Sequence, residues 1–200
     1  MNHFRSDHSD VFAIGNDGMI HHYWHENEGG SLHHEILPGG PWNTDRIKVV
    51  SWGEDRRDIF LQGNFDAQRG YYPLQHYWYP SYGSWGLESV GSLGSAGIND
   101  ISAATYEDWQ GGRLDVVTVD RLAGLDFSRS TRPVLGAYAD HSLYHHWRTL
   151  YPGNPQPWKA EPMGGSWSLS SYTVTAYTAG HFDLFTIGEN RQLYNYRNYR

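Results

Sequence analysis

Apolar and polar residues alternate in short runs of four to seven positions along the chain, and the runs return in a fixed order. One kind opens with Asp and an aliphatic residue: Asp10-Val-Phe-Ala-Ile-Gly15, Asp58-Ile-Phe-Leu-Gln-Gly63, Asp115-Val-Val-Thr-Val-Asp120 and Asp183-Leu-Phe-Thr-Ile-Gly188. A second follows each of these, as Ile20-His-His-Tyr-Trp24, Leu74-Gln-His-Tyr-Trp78, Leu143-Tyr-His-His-Trp147 and Leu193-Tyr-Asn-Tyr-Arg197. A third closes three of the periods, as Glu35-Ile-Leu-Pro-Gly-Gly40, Glu88-Ser-Val-Gly-Ser92 and Glu161-Pro-Met-Gly-Gly165. A fourth precedes the next Asp, as Val49-Val-Ser-Trp-Gly53, Ile101-Ser-Ala-Ala-Thr-Tyr106 and Tyr172-Thr-Val-Thr-Ala-Tyr177. Each run is rich in β-branched and aromatic residues and is bounded by Gly, Pro, Asn or Asp, which predicts a strand.

One period therefore predicts a four-stranded antiparallel unit. The Asp-to-Asp steps are 48, 57 and 68 residues, at and above the period of propeller blades. In Ile20 to His25, His22 and Trp24 point one way while His21, Tyr23 and His25 point the other, so both faces carry aromatics. Such a sheet must be covered on both sides, which a ring of stacked blades achieves. The expected fold is all-β: one β-propeller domain over residues 1–200, with repeats near 1–45, 46–96, 97–166 and 167–200. Counting runs gives three, four, four and three strands, hence about four blades, of which the first and last are incomplete. Either the chain closes into a compact four-bladed disc, or two chains join through their partial end blades. The free edges of those blades favour a homodimer.

The distance from the opening Asp to the following Trp is 14 residues in the first period, 20 in the second and 32 in the third. Insertions thus fall in one kind of loop, and residues 64–73 and 121–141 are candidate lids or ligand loops.

Composition narrows the functional classes. Aromatics make up 16% of the chain and there are 23 Gly, a balance suited to short strands and many turns. The net charge is −7 with 15 scattered Lys and Arg, which leaves no basic footprint for nucleic acid. There is no Cys, so disulfides and thiolate metal sites are excluded. No apolar stretch approaches the length of a membrane span, and Met1 to His8 lacks the apolar core of a secretory signal. The expectation is a cytoplasmic protein, or one released without a signal peptide.

The stretch Val49-Val-Ser-Trp-Gly-Glu-Asp-Arg-Arg-Asp-Ile-Phe-Leu-Gln-Gly63, followed by His76-Tyr-Trp78 and Trp85-Gly-Leu-Glu-Ser-Val-Gly91, resembles a repeat of the bacterial and fungal fucose-binding propeller lectins, especially the Photorhabdus type. Asp183-Leu-Phe-Thr-Ile-Gly-Glu-Asn-Arg-Gln-Leu-Tyr194 is similar in the same way, and the resemblance extends over nearly the whole chain. It implies a propeller that binds fucosylated or O-methylated glycans in shallow pockets between blades, through Trp and Tyr faces and a few polar groups, without metal or cofactor. Members of the family usually carry six or seven blades in one chain, and the fourth repeat here has Arg197 where the others have Trp.

The candidate ligand-binding residues follow from recurrence. Trp24, Trp78 and Trp147 occupy one slot, and an indole suits the C–H face of a sugar, although filling space between sheets is the plainer use. Trp52 falls in a Ser-Trp-Gly element and is a further pocket candidate, while Trp85, Trp158 and Trp167 read as structural wedges. His22, His76 and His145 share a slot with Asn195, which points to hydrogen bonding rather than metal ligation. Tyr23 and Tyr77 neighbour them. Adjacent histidines, as in His21-His22 or His145-His146, point to opposite faces of a strand and cannot chelate together, so no metal site is expected. The recurring Asp10, Asp58, Asp115 and Asp183 read as turn caps at strand starts. No motif of covalent catalysis is present.

Two functional readings remain open. One is a lectin for fucose-like sugars. The other is an enzyme on the same scaffold, performing a hetero-Diels–Alder type coupling on a small hydrophobic-polar ligand held in an aromatic pocket. A protein-interaction propeller is the blander third.

Overall fold

The structure is a computed structural model and describes residues 9–25, 30–52, 56–79, 83–93, 97–108, 111–120, 143–151, 154–163, 172–178, 181–187 and 192–199. The expected loop at 121–141 and Trp167 lie outside these residues. The described chain is all-β. Its strands are β1 (Ser9–Ile14), β2 (Ile20–His25), β3 (Leu32–Ile36), β4 (Ile47–Trp52), β5 (Arg56–Gln62), β6 (Pro73–Tyr79), β7 (Gly86–Ser92), β8 (Ile98–Asp108), β9 (Gly111–Asp120), β10 (Leu143–Tyr151), β11 (Asn154–Pro155), β12 (Lys159–Pro162), β13 (Tyr172–Thr178), β14 (His181–Ile187) and β15 (Leu193–Tyr199).

These strands make four antiparallel sheets in chain order: β1-β2-β3, β4-β5-β6-β7, β8-β9-β10 with β12, and β13-β14-β15. The two-residue β11 pairs with the same edge of β10 as β12, at Leu150 and Tyr151. The Asp runs are β1, β5, β9 and β14, and the runs ending in Trp or Arg197 are β2, β6, β10 and β15. The leading runs are β4, β8 and β13, and the Glu runs fall in β3, β7 and β12. One boundary differs from the expectation. The pairing of β3 begins at Leu32 and that of β12 at Lys159, ahead of Glu35 and Glu161. The residues after Leu37 then turn out of the sheet, with Gly39 and Gly40 at φ of 89° and 79°, a region open to Gly.

The register is the same in every sheet. Asp10 lies opposite Trp24, Asp58 opposite Trp78, Asp115 opposite Trp147, and Asp183 opposite Arg197. On the next pair of strands His22 lies opposite Glu35, His76 opposite Glu88, and His145 opposite Glu161. Because side chains alternate across a strand, Asp, His, Trp and Glu share one face of each of the first three sheets, as Asp183, Asn195 and Arg197 do in the fourth; this face is here called the front, and the residues between them form the back.

Fronts pack on backs. Ile20 on the front of the first sheet is buried with Ile59, Leu61 and Tyr77 on the back of the second. Phe60 and Leu74 on the front of the second meet Leu114, Val116 and Leu150 on the back of the third. Val117, Val119 and Leu143 on the front of the third meet Val174, Phe182 and Leu184 on the back of the fourth. Each junction thus has its own apolar core, and each fully buried aliphatic side chain contributes roughly 1.5–3 kcal/mol. The leading strands of consecutive sheets lie side by side, β4 next to β8 and β8 next to β13.

Candidate functional site

The shared register creates a repeated polar line across three sheets. In the second sheet, His76 Nε2 lies 2.7 Å from Asp58 Oδ1 and its Nδ1 lies 2.9 Å from Glu88 Oε1. In the first, His22 Nε2 is 2.7 Å from Asp10 Oδ1 and Nδ1 is 2.9 Å from Glu35 Oε1. In the third, His145 Nε2 is 2.8 Å from Asp115 Oδ1 and Nδ1 is 3.4 Å from Glu161 Oε1. Each imidazole thus bridges two carboxylates, one on the strand before it and one on the strand after.

Arginines complete the lines. Arg56 donates Nε–H and Nη2–H to Asp58, at 2.9 and 2.8 Å, and Arg113 serves Asp115 in the same way. Asp10 instead takes Arg57 from the neighbouring sheet, with Nη2 2.7 Å from Oδ2. Burial would raise the Asp58 pKa, but the hydrogen bonds from His76 and Arg56 outweigh it and hold the carboxyl below its ordinary 3.8. Glu88 is likewise held below its ordinary value: burial opposes this, and His76, Trp158 and Arg148 overcome it.

The outer carboxylate of a line is capped from the next sheet. Trp85 donates its indole N–H to Glu35 Oε1 at 2.9 Å, and Trp158 donates to Glu88 Oε1 at 2.9 Å. Arg148 adds a 2.6 Å bond to Glu88 and lies over the Trp158 ring. Rings fill the rest of the clefts. Phe12 stacks on His22 and Phe60 on His76, at centroid distances of 4.2 and 4.6 Å, while Trp85 and Trp158 meet those pairs edge-on.

The Trp residues of the recurring slot are half-buried and lean on the imidazole two positions earlier, at 4.7 Å for Trp24, 5.5 Å for Trp78 and 4.8 Å for Trp147. Gly86 faces the Trp78 indole so closely that an added Cβ would lie 2.3 Å from it. Tyr77 is buried, donates to the Pro38 carbonyl at 2.7 Å and accepts the Trp42 indole N–H at 2.9 Å. Tyr23 lies on the back of the first sheet, stacked on His34 at 4.4 Å. Of the candidates, His22 with Trp24, His76 with Trp78 and His145 with Trp147 are brought together on sheet fronts. Tyr23 and Tyr77 point to the backs. The side chain of Trp52 lies outside the described residues.

A cavity of about 410 Å³ opens between the first two sheets. Ser9, Asp10 and Phe12 of β1 line one side, Val49, Val50 and Ser51 of β4 the other, and Arg57 of β5 closes against Asp10. Residues 64–73, expected as a lid, contribute nothing to its lining. They form a small hairpin with a bridge between Asp66 and Tyr71, tied by Asn64 to the Pro41 carbonyl and the Asn43 N–H.

Two expectations need correcting. The recurring aspartates are not turn caps: Asp58 is wholly buried within β5, and Asp10 and Asp115 likewise sit in strands and bind the histidine one strand over. Glu35, Glu88 and Glu161, expected as structural residues like the aspartates, are the outer members of the lines, and Arg57 joins the first line with no expectation behind it. The sequence does carry a signal for the caps, since Trp85 and Trp158 each stand three residues before a Glu of this set. In the fourth sheet the line changes: Asn195 replaces His, and Arg197 Nε lies 3.4 Å from Asp183 Oδ1. Among the described residues no group of three or more His, Asp or Glu is placed to hold a metal ion.

Compared with known proteins, the chain matches no protein-family model and no curated protein.

Proposed function

We propose that the chain is a propeller-type sugar-binding protein, in which the four sheets are successive blades and hydroxyl-rich ligands such as fucose or O-methylated sugars bind in the clefts between them. The blade reading is supported by the constant register, the front-to-back stacking and the neighbouring leading strands. The binding reading is carried by the cavity between the first two sheets. Phe12 offers a ring to sugar C–H groups, Ser9 and Ser51 offer hydroxyls, and the Asp10–Arg57 ion pair forms a polar wall. Its volume suits a small polyol. Half-buried Trp24, Trp78 and Trp147 supply further apolar faces at equivalent places.

Binding is tested by titrating fucose and O-methyl fucosides into the protein by calorimetry, with a glycan array for breadth. Saturable binding and a ligand-dependent rise in Tm are expected. Ser51→Phe, which fills the cavity, abolishes both while the circular dichroism spectrum is unchanged. An array without signal and a flat Tm across all sugars would overturn this reading.

One observation favours a second reading, an enzyme of the hetero-Diels–Alder type. The arginine that closes the cavity is not repeated from sheet to sheet: the position of Arg57 is Ser9, Leu114 and Phe182 in the other sheets. An unsymmetrical pocket with a guanidinium at its wall suits the orientation of two reactants and the polarisation of one. Turnover of a diene and a carbonyl partner, lost in Ser51→Phe, would support it.

A further inference from the structure

The two outermost sheet faces carry residues whose equivalents are buried at every internal junction. Val11, one position after Asp10 on the back of the first sheet, is 60% exposed. The residues in that position in the next three sheets, Ile59, Val116 and Leu184, are all 0% exposed. Leu193, at the start of β15 on the front of the fourth sheet, is 70% exposed, whereas its equivalents Ile20, Leu74 and Leu143 are 1%, 0% and 1%. Leu32 and Ile36 extend the exposed back of the first sheet, at 60% and 49%.

These two faces are the unmatched halves of the junction that the chain builds three times. At each internal junction the front aliphatic residue and the back aliphatic residue belong to one buried cluster: Ile20 with Ile59, Leu74 with Val116, and Leu143 with Leu184. The pair that would complete the series is Leu193 with Val11. In a single chain both are open to solvent, so the junction is not made within it. An exposed apolar face with a self-complementary counterpart elsewhere on the same molecule makes a head-to-tail contact between copies.

We infer that two copies of this chain join head to tail, the front of the fourth sheet of each seated on the back of the first sheet of the other. The ring closes after two copies with eight sheets, the upper end of the range propellers span. The occupant of each open face is a second copy rather than an unrelated protein, because the fit required is the one the chain already uses at its internal junctions. The inference does not depend on sugar binding and is measured without ligand.

Light scattering and sedimentation velocity of the 200-residue chain give a particle of twice the 22.9 kDa chain mass. Leu193→Asp and Val11→Arg, each at a site exposed in the single chain, leave the circular dichroism spectrum intact and raise the dimer dissociation constant at least about tenfold, since each would bury an unpaired charge. Mixing the two variants in equal amounts restores the dimer: one junction is then wild type, and the introduced charges oppose one another at the other. A monomer at the highest attainable concentration would overturn the inference, as would a trimer or open-ended polymer. A dimer indifferent to Leu193→Asp would also do so, because it would be joined through some other face.

Discussion

Replacing His146 by Phe is expected to flatten the loss of stability on mild acidification. His146 lies on the back of β10 and is 2% exposed. Its Nε2 is 3.3 Å from Thr118 Oγ1, Tyr144 tilts against its ring, and its Nδ1 has no hydrogen-bond partner among the described residues. Gly91 of the second sheet faces that nitrogen. Burial, with the proximity of His145 adding to it, lowers the pKa from 6.5 to about 4. Between those values the unfolded chain binds a proton that the folded chain refuses, so stability is full above 6.5 and declines as pH falls towards about 4. At roughly 1.4 kcal/mol per pH unit the whole effect is about 3 kcal/mol. Urea unfolding followed by Trp fluorescence at about pH 7 and about pH 4.5 reads it directly. The wild type should lose about 2–3 kcal/mol more than His146→Phe over that interval. At about pH 7 the two should differ by about 1 kcal/mol or less, because Phe keeps the ring and removes an unpaired polar atom. Equal losses in both proteins would refute the assignment of a buried neutral imidazole.

The polar lines make further predictions. His76→Ala should destabilise by about 3–5 kcal/mol, since it strips a partner from the wholly buried Asp58, whereas His22→Ala should cost about 1–3 kcal/mol because both of its carboxylates reach water, Asp10 at 8% and Glu35 at 40%. Chemical denaturation ranks the two, and an equal or reversed order would contradict the burial argument. Trp85→Phe should cost about 1–2 kcal/mol through the lost bond to Glu35, and a double-mutant cycle with Glu35→Ala should return a coupling near 1 kcal/mol. A coupling of zero would mean that the indole does not tie the first two sheets together.

Much of the architecture was legible because a strand writes its two faces into alternate residues. The runs around Val11, Ile59, Val116 and Leu184 were enough to order the strands as three, four, four and three, and only the two-residue β11 escaped notice. The slot shared by Trp24, Trp78 and Trp147 was equally plain. The role of the aspartates was not. Asp and His of one line stand 12, 18 and 30 residues apart in the three sheets, and their contact is diagonal across a strand pair, so no fixed spacing betrays it. A strand-start Asp is normally a turn residue, and that local habit concealed a buried Asp–His contact. Arg57 was hidden for a related reason: its partner Asp10 is in another sheet, 47 residues earlier.

Because every apolar core spans one pair of adjacent sheets, cohesion in this molecule runs along a line, like the teeth of a zip. Each inner sheet is gripped from two sides and each outer sheet from one, so unravelling starts at the termini and moves inwards. In the single chain, as isolated by Leu193→Asp, amide protons of β14 and β15 should therefore exchange early and those of β5 and β9 late, a gradient that disappears once the outer sheets find a seat.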